Sequence, residues 1–345
     1  MHSSTLNNQL INELAITLEQ LVQKGKGILA ADESNGTIGK RFAAIKLANT
    51  AENRRAYRLL LATTSDLEQY ISGVILFAET FSASDANGTG VADLFIKRNI
   101  VPGIKVDQGL TMLINTQDEK VTKGLDSLPE TLCQFKNLGA KFAKWRNVYT
   151  ISKTTPSLLA INTGAEILAQ YAACCQAAGM VPIVEPEVLM DGEHSLDECA
   201  EASAQVLHAL FTALLLHKVA LEYIILKPSM ITSGNNKIPF SSPVDVANYT
   251  LKVFRQYVPA NVPSINFLSG GQTPQQATAN LQAINSLGAQ PWQLSFSYGR
   301  ALQESCLLAW AGKASNITAA QQALLKRAQL NSAACSGTYA ANMEL

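Results

Sequence analysis

Eight short apolar runs rich in Val, Ile and Leu recur along the chain, each separated from the next by a longer amphipathic stretch, and this alternation restricts the fold more than anything else. The runs are GILAA ending before Asp32, YISGVILFA before Glu79, IVPGIKV before Asp107, AKFAKWRNVY around Lys144, MVPIVEPEV around Glu185, YIILKP at Lys227, SINFLSGG at Ser269 and QLSFSYGR at Ser297. Strands that are apolar on both faces belong in a parallel sheet, because crossover helices must cover it. The spacing of roughly 30 to 45 residues suits β/α units with a few insertions. No Ser/Gly-rich or Pro-rich linker divides the series. Residues 1–345 are therefore expected to form a single (β/α)8 barrel of the α/β class, with residues 331–345 as a short C-terminal tail. Ahead of the first strand, Leu6, Leu10, Leu14, Leu18 and Leu21 repeat at helical spacing, which predicts an extra helix between Leu6 and Gln23.

Composition narrows the function. At 47% hydrophobic and 16% charged residues the chain can fill a large core, so disorder is excluded. Lys plus Arg and Asp plus Glu number 27 each, leaving no overall field to attract nucleic acid or an acidic membrane. The start MHSSTLNNQLINELA lacks the basic segment and apolar run of a secretory signal, so the cytoplasm is the expected compartment. The greasiest stretch, AQVLHALFTALLLHKVALEYIIL, is broken by His208, His217, Lys218 and Glu222 and predicts a buried helix and a strand rather than a membrane span. Six cysteines without CxxC spacing predict reduced thiols. His2, His194, His208 and His217 are scattered, and neither GxGxxG nor GxxxxGK[ST] occurs. No histidine-based metal centre and no nucleotide cofactor is expected; a magnesium ion held by carboxylates alone stays open.

Polar residues stand at the far ends of almost all the apolar runs. In a (β/α)8 barrel those ends and their loops build the active site, so the polar set is expected to converge on one mouth. Lys227 follows IIL directly. A desolvated amine near other cations sheds its proton more readily and can attack a carbonyl carbon. Period-two alternation puts Phe142, Lys144 and Arg146 on one strand face and Ile183, Glu185 and Glu187 on another. The two carboxylates could shuttle protons, or could simply offset the two cations. Asp32 is a further candidate base. LSGG at 268–271 and SYGR at 297–300 suit an anion, since small residues let backbone N–H groups approach a phosphate and Arg300 can clamp it. Barrel phosphate sites favour the loops after the seventh and eighth strands, where these segments fall.

The segments GKGILAADESNGTIGKR, GVILFAETF, PGIKVDQG, GAKFAKWR, VPIVEPEVL, LKPSM, NFLSGGQ and FSYGRALQ, in that order, resemble the class I fructose-bisphosphate aldolases over nearly the whole chain. The resemblance implies a metal-independent barrel enzyme, a homotetramer in that family, which splits fructose 1,6-bisphosphate reversibly into dihydroxyacetone phosphate and glyceraldehyde 3-phosphate. It makes Lys227 the Schiff-base lysine and Glu185 the acid/base of imine formation, with Glu187 holding the surrounding charges. Asp32 would handle the C4 hydroxyl proton, with Lys144 beside it. Ser34, Arg41, Arg54, Lys105 and Arg146 would hold the remote end and its phosphate. Ser269, Gly270, Gly271, Ser297, Gly299 and Arg300 would hold the C1 phosphate. Two departures are visible. The chain ends in ANMEL without the long tyrosine-terminated tail of animal members, and Ala78 stands where they carry histidine. Two other functions compete: a Schiff-base aldolase for sedoheptulose 1,7-bisphosphate or fructose 1-phosphate, and a barrel that only binds protein partners. Retention of the whole polar set argues against the second.

Overall fold

The computed structural model describes residues 6–345. Ten strands form: β1 (Gly27–Ala31), β2 (Ile71–Leu76), β3 (Val101–Lys105), β4 (Leu110–Met112), β5 (Lys120–Thr122), β6 (Phe142–Tyr149), β7 (Val181–Val188), β8 (Ile225–Leu226), β9 (Ser264–Phe267) and β10 (Gln293–Tyr298). All eight apolar runs supply barrel strands. They close in the order β1-β10-β9-β8-β7-β6-β3-β2, every pair parallel, with Ile28 opposite Ser297 at the seam. The remaining two, β4 and β5, pair antiparallel as a separate ribbon.

The described residues form the α-helices α1 (Asn8–Leu21), α2 (Asn35–Ala44), α3 (Ala51–Ala62), α4 (Ala78–Phe81), α5 (Val91–Ile96), α6 (Leu128–Asn137), α7 (Leu158–Ala177), α8 (Leu196–Leu216), α9 (Pro243–Tyr257), α10 (Pro274–Asn285), α11 (Arg300–Trp310) and α12 (Ile317–Cys335). The N-terminal helix is shorter than the leucine spacing implies because the Asn7 side chain accepts the Leu10 N–H and caps it there. Its stripe of Leu14, Leu18 and Leu21 packs with Ile28, Ile75, Val101, Phe142, Val181, Ile183 and Ile225, so α1 plugs one end of the barrel interior. The Phe142 ring fills that interior so tightly that a Cβ on Gly103 would come within 2.3 Å of it. Alternate strand residues such as Leu29, Ala143, Trp145 and Val184 face outward into the helix layer.

By length and apolarity α8 could cross a bilayer. Here its buried face, including Val206, Leu210 and Leu214, lies against β7 between α7 and α9. The expected tail needs correction, since residues 331–335 complete α12. Asn331 is buried there, accepting from Thr278 Oγ1 at 2.8 Å. Beyond it the chain folds back, and Glu344 meets the buried Arg327 at 2.6 Å while accepting from Tyr339 Oη at 3.0 Å.

Candidate active site

Strand length decides how far each side chain reaches toward the mouth. At eight residues each, β6 and β7 are the longest strands and stay paired throughout, with Lys144 opposite Ile183, Arg146 opposite Glu185 and Val148 opposite Glu187. The inward faces therefore change from apolar (Phe142, Ile183) to charged (Lys144, Arg146, Glu185, Glu187) as the strands climb. Where β1 and β8 end, Asp32 and Lys227 follow at once. These six line a cavity of about 940 Å³.

At its floor the charges alternate. Lys144 Nζ lies 2.7 Å from Asp32 Oδ2 and 3.2 Å from Glu185 Oε2, while Lys227 Nζ lies 3.1 Å from Glu185 Oε1. Both lysines and Glu185 are buried. Above them Arg146 donates to Glu187. Burial pushes the Asp32 carboxyl up, but Lys144 and then Lys227 outweigh it and hold it well below the usual carboxylate range. Burial likewise raises Glu185, and Lys144, Lys227 and Arg146 bring it below. At Lys144 burial favours the neutral amine, yet Asp32 and Glu185 overcome it and keep the ammonium. The carboxylates are thus held ionised beside a cation that stays charged.

The two sides of the mouth differ. On one, Ser269, Gly270, Ser297, Gly299 and Arg300 line the cavity. Gly270 adopts φ +53°, a conformation that strains other residues. Ser297 Oγ and Arg300 Nε are buried without hydrogen-bond partners, while the Arg300 Nη2 donates to the Gly270 and Gln272 carbonyls. Two unspent donors beside a glycine turn suit an anion. Lys105 and Arg146, from β3 and β6, line the opposite wall; Ser34 and Arg41 also line the cavity, with Arg41 Nη2 3.6 Å from where a Cβ on Gly299 would stand.

Two predicted residues stay outside the lining. Arg54, in the first turn of α3, forks onto Glu79 at 2.8–3.0 Å and donates to Asn49 Oδ1 at 2.9 Å. Gly271 faces the Met190 side chain, where a Cβ would meet Met190 Cε at 3.0 Å.

Sequence reading alone gives no individual role to three buried groups. Glu33 pairs with Arg41 and with Arg58 at 2.6 Å, and Gln303 donates to it at 2.9 Å. Asp107 holds Lys105 at 2.6 Å. Gln303 also donates to the Ala30 carbonyl at 2.8 Å, tying α11 to β1. Glu33 adjoins Asp32, and that adjacency was its only signal; Asp107 was visible as the polar residue that ends the IVPGIKV run, two places after Lys105. Among the described residues no three His, Cys, Asp or Glu side chains gather to hold a metal ion.

A sequence profile described as "Glycolytic: Fructose-bisphosphate aldolase class-I" matches residues 13–345. The chain is 53% identical over 322 residues to fructose-bisphosphate aldolase 2 of Caenorhabditis elegans, spanning 93% of this chain and 88% of that one. It is 48% identical over 334 residues to fructose-bisphosphate aldolase 4, cytosolic, of Arabidopsis thaliana, spanning 96% and 85%. The structure matches that of fructose-bisphosphate aldolase from Plasmodium falciparum in complex with TRAP and a small-molecule inhibitor, with a TM-score of 0.96 and 48% identity over 97% of each chain.

Proposed function

This chain belongs to the class I fructose-bisphosphate aldolases, lyases that split fructose 1,6-bisphosphate, and we propose that it does so through an imine on Lys227. One observation carries the proposal: the Lys227 amine lies 3.1 Å from a Glu185 carboxylate whose other oxygen faces Lys144. A nucleophile within hydrogen-bond reach of a base oriented by a third group is what covalent catalysis requires.

Glu185 takes a proton from Lys227, and the amine attacks the C2 carbonyl. The C2 oxygen takes up the proton carried by Glu185. A second proton from the attacking nitrogen passes through the same carboxylate to the resulting hydroxyl, which leaves as water, so that the iminium remains. Asp32 then removes the C4 hydroxyl proton. The C4–O electrons form the aldehyde carbonyl, and the C3–C4 pair flows into the iminium, giving an enamine on Lys227 and free glyceraldehyde 3-phosphate. Protonation of the enamine carbon and addition of water release dihydroxyacetone phosphate. Lys144, kept cationic, favours the charged form of Asp32 between turnovers, and Glu187 fixes Arg146 beside the chemistry.

Ser269, Gly270, Ser297, Gly299 and Arg300 bind the C1 phosphate in this scheme, supported by the unspent Ser297 and Arg300 donors. Ser34, Arg41, Lys105 and Arg146 take the other end. Arg54 stays with Glu79 and Gly271 with Met190, outside these contacts. Borohydride added with dihydroxyacetone phosphate should reduce the imine and leave the three-carbon adduct on the peptide carrying Lys227, with EDTA leaving activity intact. Label elsewhere, or inactivation by chelation, would sink the scheme. The same family reading makes the protein a cytoplasmic homotetramer. Light scattering should return four chain masses, and a monomer mass would reject that assembly.

A further inference from the structure

We infer that Asp107 reads the substrate: its Oδ2 accepts the hydroxyl neighbouring the phosphate-bearing carbon of the aldehyde half, on C5 of the bisphosphate. This rests on the placement of that half against Lys105 proposed above. Asp107 lines the cavity and is buried. Its two oxygens are in different states. Oδ1 accepts from Lys105 Nζ at 2.6 Å and from the Gly109 N–H at 3.2 Å, whereas Oδ2 is buried without a hydrogen-bond partner. Among the described cavity-lining residues, it is the buried carboxylate oxygen with neither hydrogen bond nor ion pair: Glu185 Oε2 also lacks a hydrogen bond, but Lys144 sits 3.2 Å from it.

The oxygen is held firmly. Lys105 donates a second bond to the Asp107 carbonyl at 2.8 Å and lies over the Phe77 ring. The turn that follows is stitched to the end of the β4–β5 ribbon, with Gln108 N–H donating to Lys123 O at 2.9 Å and Lys123 N–H to Gly109 O at 3.0 Å. Gly109, at φ +83°, permits the turn. A carboxylate kept only to neutralise Lys105 needs no second oxygen sealed and unpaired, which is a costly arrangement.

Chemistry says what fills it. Lys105, Lys144 and Arg146 donate and cannot accept, so they can serve a hydroxyl's lone pairs but not its proton. Glu185 sits between the two lysines and Glu187 faces Arg146, while Asp32, beside Lys144, is kept for the C4 hydroxyl. Asp107 Oδ2 is the buried, unpaired carboxylate oxygen on this wall that a second hydroxyl can fill. Asp32 serves the C4 hydroxyl and Lys105 the terminal phosphate, which leaves the C5 hydroxyl between them.

The test runs the reaction in the condensation direction, pairing dihydroxyacetone phosphate with glyceraldehyde 3-phosphate or with 3-oxopropyl phosphate, which lacks only that hydroxyl. The unaltered enzyme should prefer the hydroxylated aldehyde by at least about tenfold in kcat/KM. Equal use of the two overturns the inference without recourse to any variant. In Asp107→Asn the amide oxygen can keep the Lys105 contact while its NH2 replaces the acceptor. There kcat/KM for glyceraldehyde 3-phosphate should fall on the order of 10- to 100-fold and that for 3-oxopropyl phosphate much less. A parallel loss for both would reduce Asp107 to a clamp on Lys105 and overturn the inference. Imine trapping with dihydroxyacetone phosphate, which never touches Asp107 in this scheme, should be unchanged in the variant. Failure to trap the unaltered enzyme would instead fault the imine reading itself.

Discussion

Lys227→Met should lower kcat for fructose 1,6-bisphosphate cleavage by at least about 10⁴-fold, more than about 5 kcal/mol of transition-state stabilisation. Methionine nearly matches the length and volume of lysine and keeps the buried wall filled. What disappears is the amine, and with it the covalent electron sink that makes the C3–C4 bond breakable. KM should change little, because Arg41, Lys105, Ser297 and Arg300 still line the cavity. Glu185 keeps Lys144 at 3.2 Å, so its charge is not abandoned in the interior. Stopped assays with circular dichroism on the same sample separate chemistry from folding. A folded variant that cleaves at full rate would remove Lys227 from the mechanism.

The same lysine shows how far a sequence can be read. Its place after an apolar strand, like the shared inward face of Phe142, Lys144 and Arg146, follows from strand periodicity, which is local and survives folding. Glu33 does not. Alternation along β1 turns Ile28 and Ala30 into the barrel and Leu29 and Ala31 outward, so Glu33 heads into the helix layer, where a lone carboxylate would be expensive. What makes it tolerable is Arg58 from α3 and Gln303 from α11, and no short-range pattern announces partners so distant in sequence. Arg54 is the converse case: its motif is plain, but its partner Glu79 reaches it only once α4, which follows β2, is brought up to α3. The buried Arg327 anchoring Glu344 is equally invisible beforehand, because α12 had to place it.

Asp32→Asn should separate the two halves of the reaction. The amide keeps the shape of the carboxyl but cannot take the C4 hydroxyl proton, and loss of a positioned base costs roughly 10²–10⁴-fold in kcat, about 3–5 kcal/mol. Borohydride trapping with dihydroxyacetone phosphate should persist, since the Lys227–Glu185 pair at 3.1 Å does not involve residue 32. Unchanged kcat, or trapping lost together with cleavage, would show that Asp32 does not have this role. The pH dependence supplies a second reading. Burial raises the Asp32 carboxyl and Lys144 and Lys227 more than reverse it, so its folded pKa lies below its unfolded one. Its stabilising contribution is therefore present above the unfolded value, near pH 4, and is lost as the pH falls toward the folded value. Thermal unfolding midpoints of the unaltered enzyme should drop steeply below about pH 4. In Asp32→Asn the drop should be shallower, because one coupled carboxylate no longer titrates while Lys144 retains Glu185. Identical slopes would mean that the Lys144–Asp32 pair contributes nothing to holding the barrel floor together.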